Sequence, residues 1–333
     1  MAAKDGAGIA SGGTGWSIPV PPMRFAAIWL ALLALLALSA AIVPRSLLPG
    51  SILPIIPFAA FLAIATMGET LVLMSRGIDL SIPAVITLSS TVLLGVSGGQ
   101  DAALLPALLL ALGFALAVGL VNGILVALFR LNALIVTLAV GAITAGATLW
   151  YRQGIAQEAR VPPLLAEWGG SRLLGLNVSV WMAAALIVIA TIVLRKTALG
   201  RRFGAMGANP RAAWIAGLNV PALQVSAYAA AALLYGIAGL LLSAFIRNPT
   251  LDVGNAYLLA PIAAAVLAGT AISGGIGSMV AVAGAALFLT HLGQMLKMLG
   301  LSTAVQYVIH GLAIALGMAL AEFRLPYRWN RKR

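Results

Sequence analysis

The chain has 333 residues, of which 62% are hydrophobic and only 8% are charged, and its mean hydropathy is +1.07. Soluble domains do not carry so large an apolar fraction, so the composition predicts a polytopic membrane protein. The net charge of +12 does not favour nucleic-acid binding, because the cations lie in loops and near the carboxyl terminus rather than on one face. With no cysteine, two histidines and eight acids, we expect no catalytic centre, metal site or cofactor.

Ten apolar stretches follow a first segment, 1–24, that is rich in Gly, Ser and Pro. We expect this segment to be a disordered, cytoplasmic amino terminus. Residues 25–322 are then predicted to form an all-α domain of about ten transmembrane helices, followed by a basic cytoplasmic tail at 323–333. The predicted spans are 25–43, 52–75, 82–97, 103–129, 132–150, 178–194, 222–245, 258–273, 277–295 and 302–321.

Two of these stretches, 82–97 and 258–273, are shorter than the ~20 residues of a perpendicular membrane helix, which favours re-entrant or broken helices. Placing both termini in the cytoplasm puts fourteen Lys and Arg residues inside and six outside. Positive charges are enriched in cytoplasmic loops, so this count supports the orientation. The longest outside segment, 151–177, is then a candidate lid or receptor contact.

A weak internal repeat relates the two halves of the chain. Asp79-Leu-Ser-Ile-Pro-Ala precedes one short apolar stretch, and Asp252-Val-Gly-Asn-Ala precedes the other. Residues 113–143 align with residues 284–314 with a similar spacing of small side chains. Five helices in each half would give the two repeats opposite orientations, an arrangement that many transporters use.

Three polar residues inside or between apolar stretches are candidates for a substrate path: Glu69, Asp79 and Asn122. An ionisable residue within a span lines a pathway by default, although a water-mediated interaction of Glu69 with Arg76, two turns later, explains it equally well. Asp79 is placed to cap the helix that follows, and this structural role is favoured over solute contact. Asn122 either joins helices or contacts a hydroxyl group, with helix joining favoured.

The loop 195–221 is strongly basic, with five Lys and Arg residues and no acid. Asn209-Pro210 is a helix-start signal that places Pro at the first helical position. Gly217 is placed to end the short helix that begins there. Small side chains beside Trp214 suit docking into a groove of a soluble partner, whereas a loop that only fixes topology accounts for the charges equally well.

Four motifs occur in order along the chain: GETLVLMSRGIDLSIPA at 68–84, LNALIVTL at 131–138, LGRRFGAMGANPRAAWIAG at 199–217 and AGTAISGGIG at 268–277. Over about residues 50–320, they resemble the permease subunits of ribose-type sugar ABC importers. The chain departs from the usual family pattern at Arg76 and Pro83, where Gly is common. It also has Val140-Gly141 in place of a Gly-Thr pair. These departures bear on the substrate more than on the fold.

The resemblance implies a multi-pass subunit of the bacterial inner membrane that imports a monosaccharide such as ribose and is not an enzyme. The implied partners are a cytoplasmic ATP-binding subunit, a periplasmic sugar-binding protein and a second permease, identical or paired, in the lipid membrane. The loop 195–221 becomes the coupling loop under this interpretation. Its candidate contacts with the ATPase are Gly200, Arg201, Gly207, Asn209, Ala212, Ala213 and Gly217.

Two alternatives come from other functional classes. An ATP-independent secondary transporter or channel for a small polar solute usually carries several intramembrane acids for ion coupling, and here Glu69 is almost alone. An intramembrane enzyme needs converging nucleophiles, bases or metal ligands, and the sequence shows no such set. Neighbouring genes for a tandem ATPase and a secreted binding protein would separate the importer from both alternatives.

Overall fold

The computed structural model describes residues 23–156, 158–302, 304–306, 308–309, 311–312 and 315. Apart from a short antiparallel hairpin of β1 (Arg172–Leu173) and β2 (Leu176–Asn177), the regular structure of these residues is helical. The α-helices are α1 (Met23–Ile42), α2 (Pro49–Ile52), α3 (Ile56–Met74), α4 (Ile82–Ser97), α5 (Leu104–Ala127), α6 (Ala133–Arg152), α7 (Pro163–Gly170), α8 (Val178–Lys196), α9 (Ala198–Ala208), α10 (Pro210–Ile215), α11 (Val220–Ile246), α12 (Ala260–Leu267) and α13 (Met279–Met298).

Seven of the described helices are long and apolar enough to cross a membrane: α1, α3, α5, α6, α8, α11 and α13. The two stretches predicted to be short are the apolar helices Ile82–Ser97 and Asn255–Leu267. The tenth predicted span, 302–321, lies partly outside the described residues, and its part at 304–306 is helical. Residues 1–22 and the predicted tail also lie outside them. The predicted all-α, polytopic membrane fold is confirmed.

Helices α3 and α11 form the centre of the protein. Of the apolar window in α3, 83% is buried inside the protein, against 11% in α8. Small residues allow the two central helices to approach closely. A Cβ atom at Gly68 of α3 would lie 2.5 Å from the Tyr235 ring and 2.9 Å from the Ala231 carbonyl oxygen of α11. The peripheral helices turn apolar side chains outward, such as Ile143 with 72% of its surface exposed, as membrane lipid requires.

The helix contacts are consistent with two repeats of opposite orientation. α5 packs against α11 as α13 packs against α3, and α4 packs against α11 as α12 packs against α3. α4 also packs against α5 as α12 packs against α13. The alignment of 113–143 with 284–314 places α5 on α13, and the same offset places α4 on α12 and α3 on α11. Each contact in one half therefore has its counterpart in the other half. The first helices of the two halves, α1 and α8, do not fit this pattern, because both of them pack against α13.

Contacts between helix ends group the loops into two sides. On one side, the N–H of Gly275 donates to the Met74 carbonyl at 2.9 Å, which joins the loops that follow α3 and α12. On the other side, the N–H of Val161 donates to the Arg247 carbonyl at 3.0 Å, which joins the loops that follow α6 and α11. The predicted topology places the first pair inside the cell and the second pair outside.

Candidate functional site

Helix α3 ends in a left-handed turn that reverses the chain. The N–H of Arg76 donates to the Leu73 carbonyl at 2.9 Å, and the N–H of Gly77 donates to the Val72 carbonyl at 3.0 Å. This pair of bonds is the Schellman motif, which satisfies carbonyls that the last turn of a helix leaves unpaired. Residues 78–81 then leave the helix before α4 begins. The two helices are therefore separated by a short break.

Glu69, Asp79 and Asn122 meet at this break in one buried network. The Glu69 carboxylate accepts the N–H of Asp79 at 3.3 Å and the hydroxyl of Tyr235 at 3.2 Å. One carboxylate oxygen of Asp79 accepts both the N–H and the hydroxyl of Ser81, at 2.8 and 2.6 Å. The Asn122 amide donates to that hydroxyl at 2.9 Å. The network therefore ties α3, α5 and α11 to the start of α4.

The contacts of the three residues that were predicted to line a substrate path can be compared with their expected roles. Asp79 accepts both hydrogen bonds of Ser81, the N-cap residue of α4, so it lies at the start of that helix, but the expected side-chain cap on the first helical turn is not formed. Asn122 joins α5 to α4, the alternative that was favoured. The alternative in which Glu69 interacts with Arg76 is not favoured by the structure, because the Arg76 guanidinium donates to carbonyls at the end of α9. All three predicted residues are fully buried, and their contact with a solute stays a prediction.

Part of this network lacks hydrogen-bond partners. Asp79 Oδ2, Asn122 Oδ1 and Tyr228 Oη have no partner among the residues that the structure describes. The Tyr228 hydroxyl lies over Gly77, where a Cβ atom would overlap it. An unpaired buried polar atom costs about 1–3 kcal/mol, and most such atoms in folded proteins are paired. The break is therefore a place where a second arrangement or a polar ligand is favoured.

A second segment outside the α-helices, 247–259, follows α11; it consists of turns and the 3-10 helix Asn255–Tyr257 and packs against α4. The N–H of Gly254 donates to the Thr87 hydroxyl at 3.2 Å, and a Cβ atom at Gly254 would overlap the Pro83 carbonyl. Thr87 lies ten residues before the end of α4 at Ser97, so it is about 15 Å below the outer end of that helix. In the predicted topology, with this end of α4 at the outer membrane surface, Gly254 is expected near the middle of an ~30 Å hydrocarbon layer.

Asp252 and Asn255 stand on either side of Gly254 and are both exposed. Non-helical backbone at membrane depth is tolerated only where it packs inside protein or lines a water-filled cavity. At the predicted depth, the exposed turns at 247–254, which precede the 3-10 helix, are expected to face another protein surface or an aqueous path. The sequence-based candidates for a substrate path did not include Asp252 or Asn255. The weak internal repeat, which aligns Asp252 with Asp79, was a signal that could have identified them.

The basic loop 195–221 folds into α9 and α10. The Asn209 side-chain oxygen accepts the N–H of Ala212 at 3.0 Å and so caps α10, in which Pro210 is the first residue. Gly217, with a φ of 82°, follows the end of the helix in the left-handed conformation. The short helix predicted from these signals is confirmed.

The candidate coupling residues divide into two groups by burial. The exposed group is Arg201, Asn209, Ala212 and Gly217, and the buried group is Gly200, Gly207 and Ala213. A Cβ atom at Gly207 would overlap the Met74 carbonyl, so this glycine allows α9 to pack against the end of α3. Ala213 is 5% exposed and packs with Phe203 and Met206 of α9. These buried residues act through packing within the chain.

Two bulky side chains dominate the exposed face of α10. Trp214 is 68% exposed and Ile215 is 74% exposed. Beside Trp214 lies an open groove of about 390 Å³ lined by Gly217, Leu218, Asn219 and Pro221. The prediction from the sequence assigned the partner contact to the small residues of this helix and did not include Ile215. The signal that could have identified Ile215 is that Trp214 and Ile215 are adjacent large apolar residues in a strongly basic loop.

Comparison with known proteins identifies the family. Residues 51–318 match the family described as branched-chain amino acid transport system / permease component. The chain belongs to this family. The permease is 32% identical to the ribose import permease protein RbsC of Escherichia coli (strain K12) over 292 residues, which cover 87% of the chain and 91% of that relative.

Two further relatives cover a similar share of the permease. It is 32% identical to the ribose import permease protein of Bacillus subtilis (strain 168) over 279 residues, 83% of the chain and 86% of the relative. It is 30% identical to the L-arabinose ABC transporter permease protein AraH of Azospirillum brasilense over 317 residues, 90% of the chain and 87% of the relative. No solved structure matches the chain significantly.

These relationships confirm the resemblance to sugar ABC importer permeases. The permease is a transport subunit rather than an enzyme, and it is a multi-pass protein of the inner membrane. Permease components of ABC importers work with an ATPase and a substrate-binding protein. The loop 195–221 and the segment 247–259 are therefore candidate contacts for a partner and for the solute.

Proposed function

We propose that this permease passes a monosaccharide, a ribose-like pentose or a related sugar, across the inner membrane. The observation that carries the proposal is its similarity to permeases named for ribose and L-arabinose, at 30–32% identity over most of the chain. The family description names branched-chain amino acids instead. We favour a sugar because that description covers the whole family, whereas the relatives are individual proteins. Another relative, 31% identical, is named for autoinducer 2, and for this reason the proposal includes solutes related to sugars.

Uptake into vesicles tests the substrate class. The permease is reconstituted with its ATPase and substrate-binding protein, and labelled D-ribose, L-arabinose and L-leucine are offered in parallel. We expect accumulation of a sugar that requires ATP, and leucine uptake no higher than in vesicles without the permease. Accumulation of leucine in preference to both sugars would contradict the proposal.

The exposed face of α10 is the proposed contact with the ATPase. Trp214 and Ile215 project from a loop that lies on the cytoplasmic side in the predicted topology, beside the groove that ends at Pro221. Large apolar side chains that stand in water mark binding surfaces, and Trp is enriched among the residues that dominate binding energy. The five cations of the loop favour a partner whose apolar cleft has an acidic rim.

The segment 247–259 is the proposed wall of the translocation path. The Asp252 carboxylate accepts hydrogen bonds and the Asn255 amide both donates and accepts, which suits the hydroxyl groups of a sugar. A second permease, identical or paired, faces this side and closes the path, because the irregular backbone cannot face lipid. Glu69, Asp79 and Asn122 lie behind the start of α4 and reach the solute only when the break opens.

Cysteine labelling tests the position of the path, since the native chain has no cysteine. Asp252→Cys and Asn255→Cys should react with a membrane-impermeant thiol reagent applied from outside, and the transported sugar should slow the reaction. The matched control is Ile143→Cys on the outer surface of α6, where the native side chain is 72% exposed. Lipid should keep that position unreactive. Equal reactivity at Ile143→Cys and at both path positions would contradict the proposal.

A further inference from the structure

Four helices end in the same left-handed motif, but only one of them does so without glycine among the described residues. α10, α12 and α13 use Gly217, Gly269 and Gly300, with φ angles of 82°, 84° and 71°. α3 uses Arg76, with a φ of 68°. Glycine adopts this conformation freely, whereas other residues are strained in it. Arg130, after α5, and Arg247, at the end of α11, also have positive φ angles, so the contacts of the Arg76 side chain, rather than its φ alone, point to a role that glycine cannot supply.

The Arg76 side chain binds the last turn of α9. Its Nε donates to the Gly207 carbonyl at 2.7 Å, and its Nη2 donates to the Ala208 carbonyl at 2.6 Å. The last carbonyls of a helix lack intrahelical partners and form the negative end of its dipole. A planar guanidinium reaches the two carbonyls from two nitrogens held in a fixed fork, whereas the three N–H groups of a lysine ammonium all leave one nitrogen. These charge-assisted bonds join the end of α3 to the end of α9.

Close packing reinforces this junction. The N–H of Gly275 donates to the Met74 carbonyl at 2.9 Å, so the loop after α12 joins the same junction. A Cβ atom at Gly207 would overlap that carbonyl, and one at Gly274 would lie 2.5 Å from Arg76 Cγ. At these two glycines the three segments are in direct contact, with no room for even a Cβ atom. A displacement of α9 therefore has to move the end of α3.

We propose that Arg76 is a positioning residue that links the ATPase-contacting helices to the break between α3 and α4. Only Asn209 separates α9 from α10, so a push on α10 passes directly to the carbonyls that Arg76 holds. Arg76 lies three residues before Asp79, so the same movement reaches the buried network of Glu69 and Asp79. The inference rests on the proposed contact between α10 and the ATPase.

The test removes the link while keeping the backbone. Arg76→Gly relieves the strained φ and deletes both bonds to α9. The matched control is Arg130→Gly, which changes another exposed arginine of positive φ, 56°, near the end of α5 on the same side of the protein. Ile78→Cys, a half-buried position within the break, is the reporter in each background. Its labelling rate with a small maleimide is measured in the reconstituted complex with its ATPase, with and without ATP.

We expect ATP to change the labelling rate by about fivefold or more in the parent and in Arg130→Gly, a typical coupling between two sites. In Arg76→Gly the ratio should fall to near one while the ATPase remains bound in a pull-down. Arg76→Lys, which keeps the charge but loses the two-nitrogen fork, should restore part of the response, whereas a purely electrostatic role predicts full restoration. It also serves as the test variant if Arg76→Gly does not assemble.

The outcomes separate this inference from the proposed function. A full ATP response in Arg76→Gly, or in Arg76→Lys when that variant serves as the test, would overturn the link and leave the contact at α10 intact. An absent response in the parent itself would contradict the coupling of the ATPase to this chain through α10. Loss of the response in Arg130→Gly as well as in Arg76→Gly would show that neither arginine is specific, and would also overturn the link.

Discussion

Replacing Trp214 is the most demanding test of the contact between α10 and the ATPase. The side chain is 68% exposed. An aromatic side chain buries about 150–250 Å², so about 100–170 Å² of Trp214 is available to a partner. At about 25 cal/mol per Å², burial of this area is worth about 2.5–4 kcal/mol. Since each ~1.4 kcal/mol is a tenfold change, we expect Trp214→Ala to raise the Kd for the ATPase by about 60- to 700-fold.

The assay is a titration of the ATPase onto the permease in lipid nanodiscs, followed by ATP-driven uptake with the same preparations. Trp150→Ala is the matched control, because Trp150 is 76% exposed at the end of α6 that faces the other side of the membrane. The control should bind the ATPase and transport like the parent. A Kd for Trp214→Ala equal to that of the parent would refute the docking face on α10.

Three further predictions concern the buried network, the packing of α9 and the topology. Glu69→Gln should lower uptake with near-normal membrane abundance, because an intramembrane carboxylate is costly unless it is used. Unchanged uptake would show that Glu69 has no role in transport, and loss of the protein from the membrane would show that its role is structural. Gly207→Ala should destabilise the permease by about 1–3 kcal/mol through overpacking and lower its Tm. Gly204→Ala should leave the Tm unchanged or raise it, since its Cβ would have nothing nearer than 3.8 Å and Ala favours the helix more than Gly does; equal Tm values for the two variants would count against the packing argument. Reporter fusions within 151–177 and 195–221 should report opposite compartments, and the same compartment for both would overturn the topology.

The features that depend on local sequence were predictable. The long spans follow from runs of apolar residues, which any membrane helix needs regardless of its neighbours. Helix α10 follows from its own signals, since Asn209, Pro210 and Gly217 act within a few residues of one another. Asp79 lies next to the start of α4 as expected, but its carboxylate accepts the N–H and the hydroxyl of Ser81 and does not cap an N–H of the first helical turn.

The features that depend on tertiary placement were not predictable. The pairing of Glu69 with Arg76 assumed a helix that continued through both residues, but α3 ends at Met74 and the left-handed turn directs Arg76 to α9. Ala213 was expected on a docking surface, yet the packing of α10 on α9 decides which face is buried. The exposure of Asp252 depends on how deeply the segment after α11 enters the membrane, which no local pattern encodes.

The central claim is that ATP hydrolysed by a partner ATPase drives a solute through this chain. The most direct measurement is uptake of D-ribose and L-arabinose into vesicles that contain the reconstituted complex and are energised in one way at a time. We predict uptake of a sugar with ATP and no ion gradient, and none with a sodium or proton gradient in the absence of ATP. Sugar uptake driven by a gradient alone, in vesicles without the ATPase, would contradict the account and favour a secondary transporter or channel.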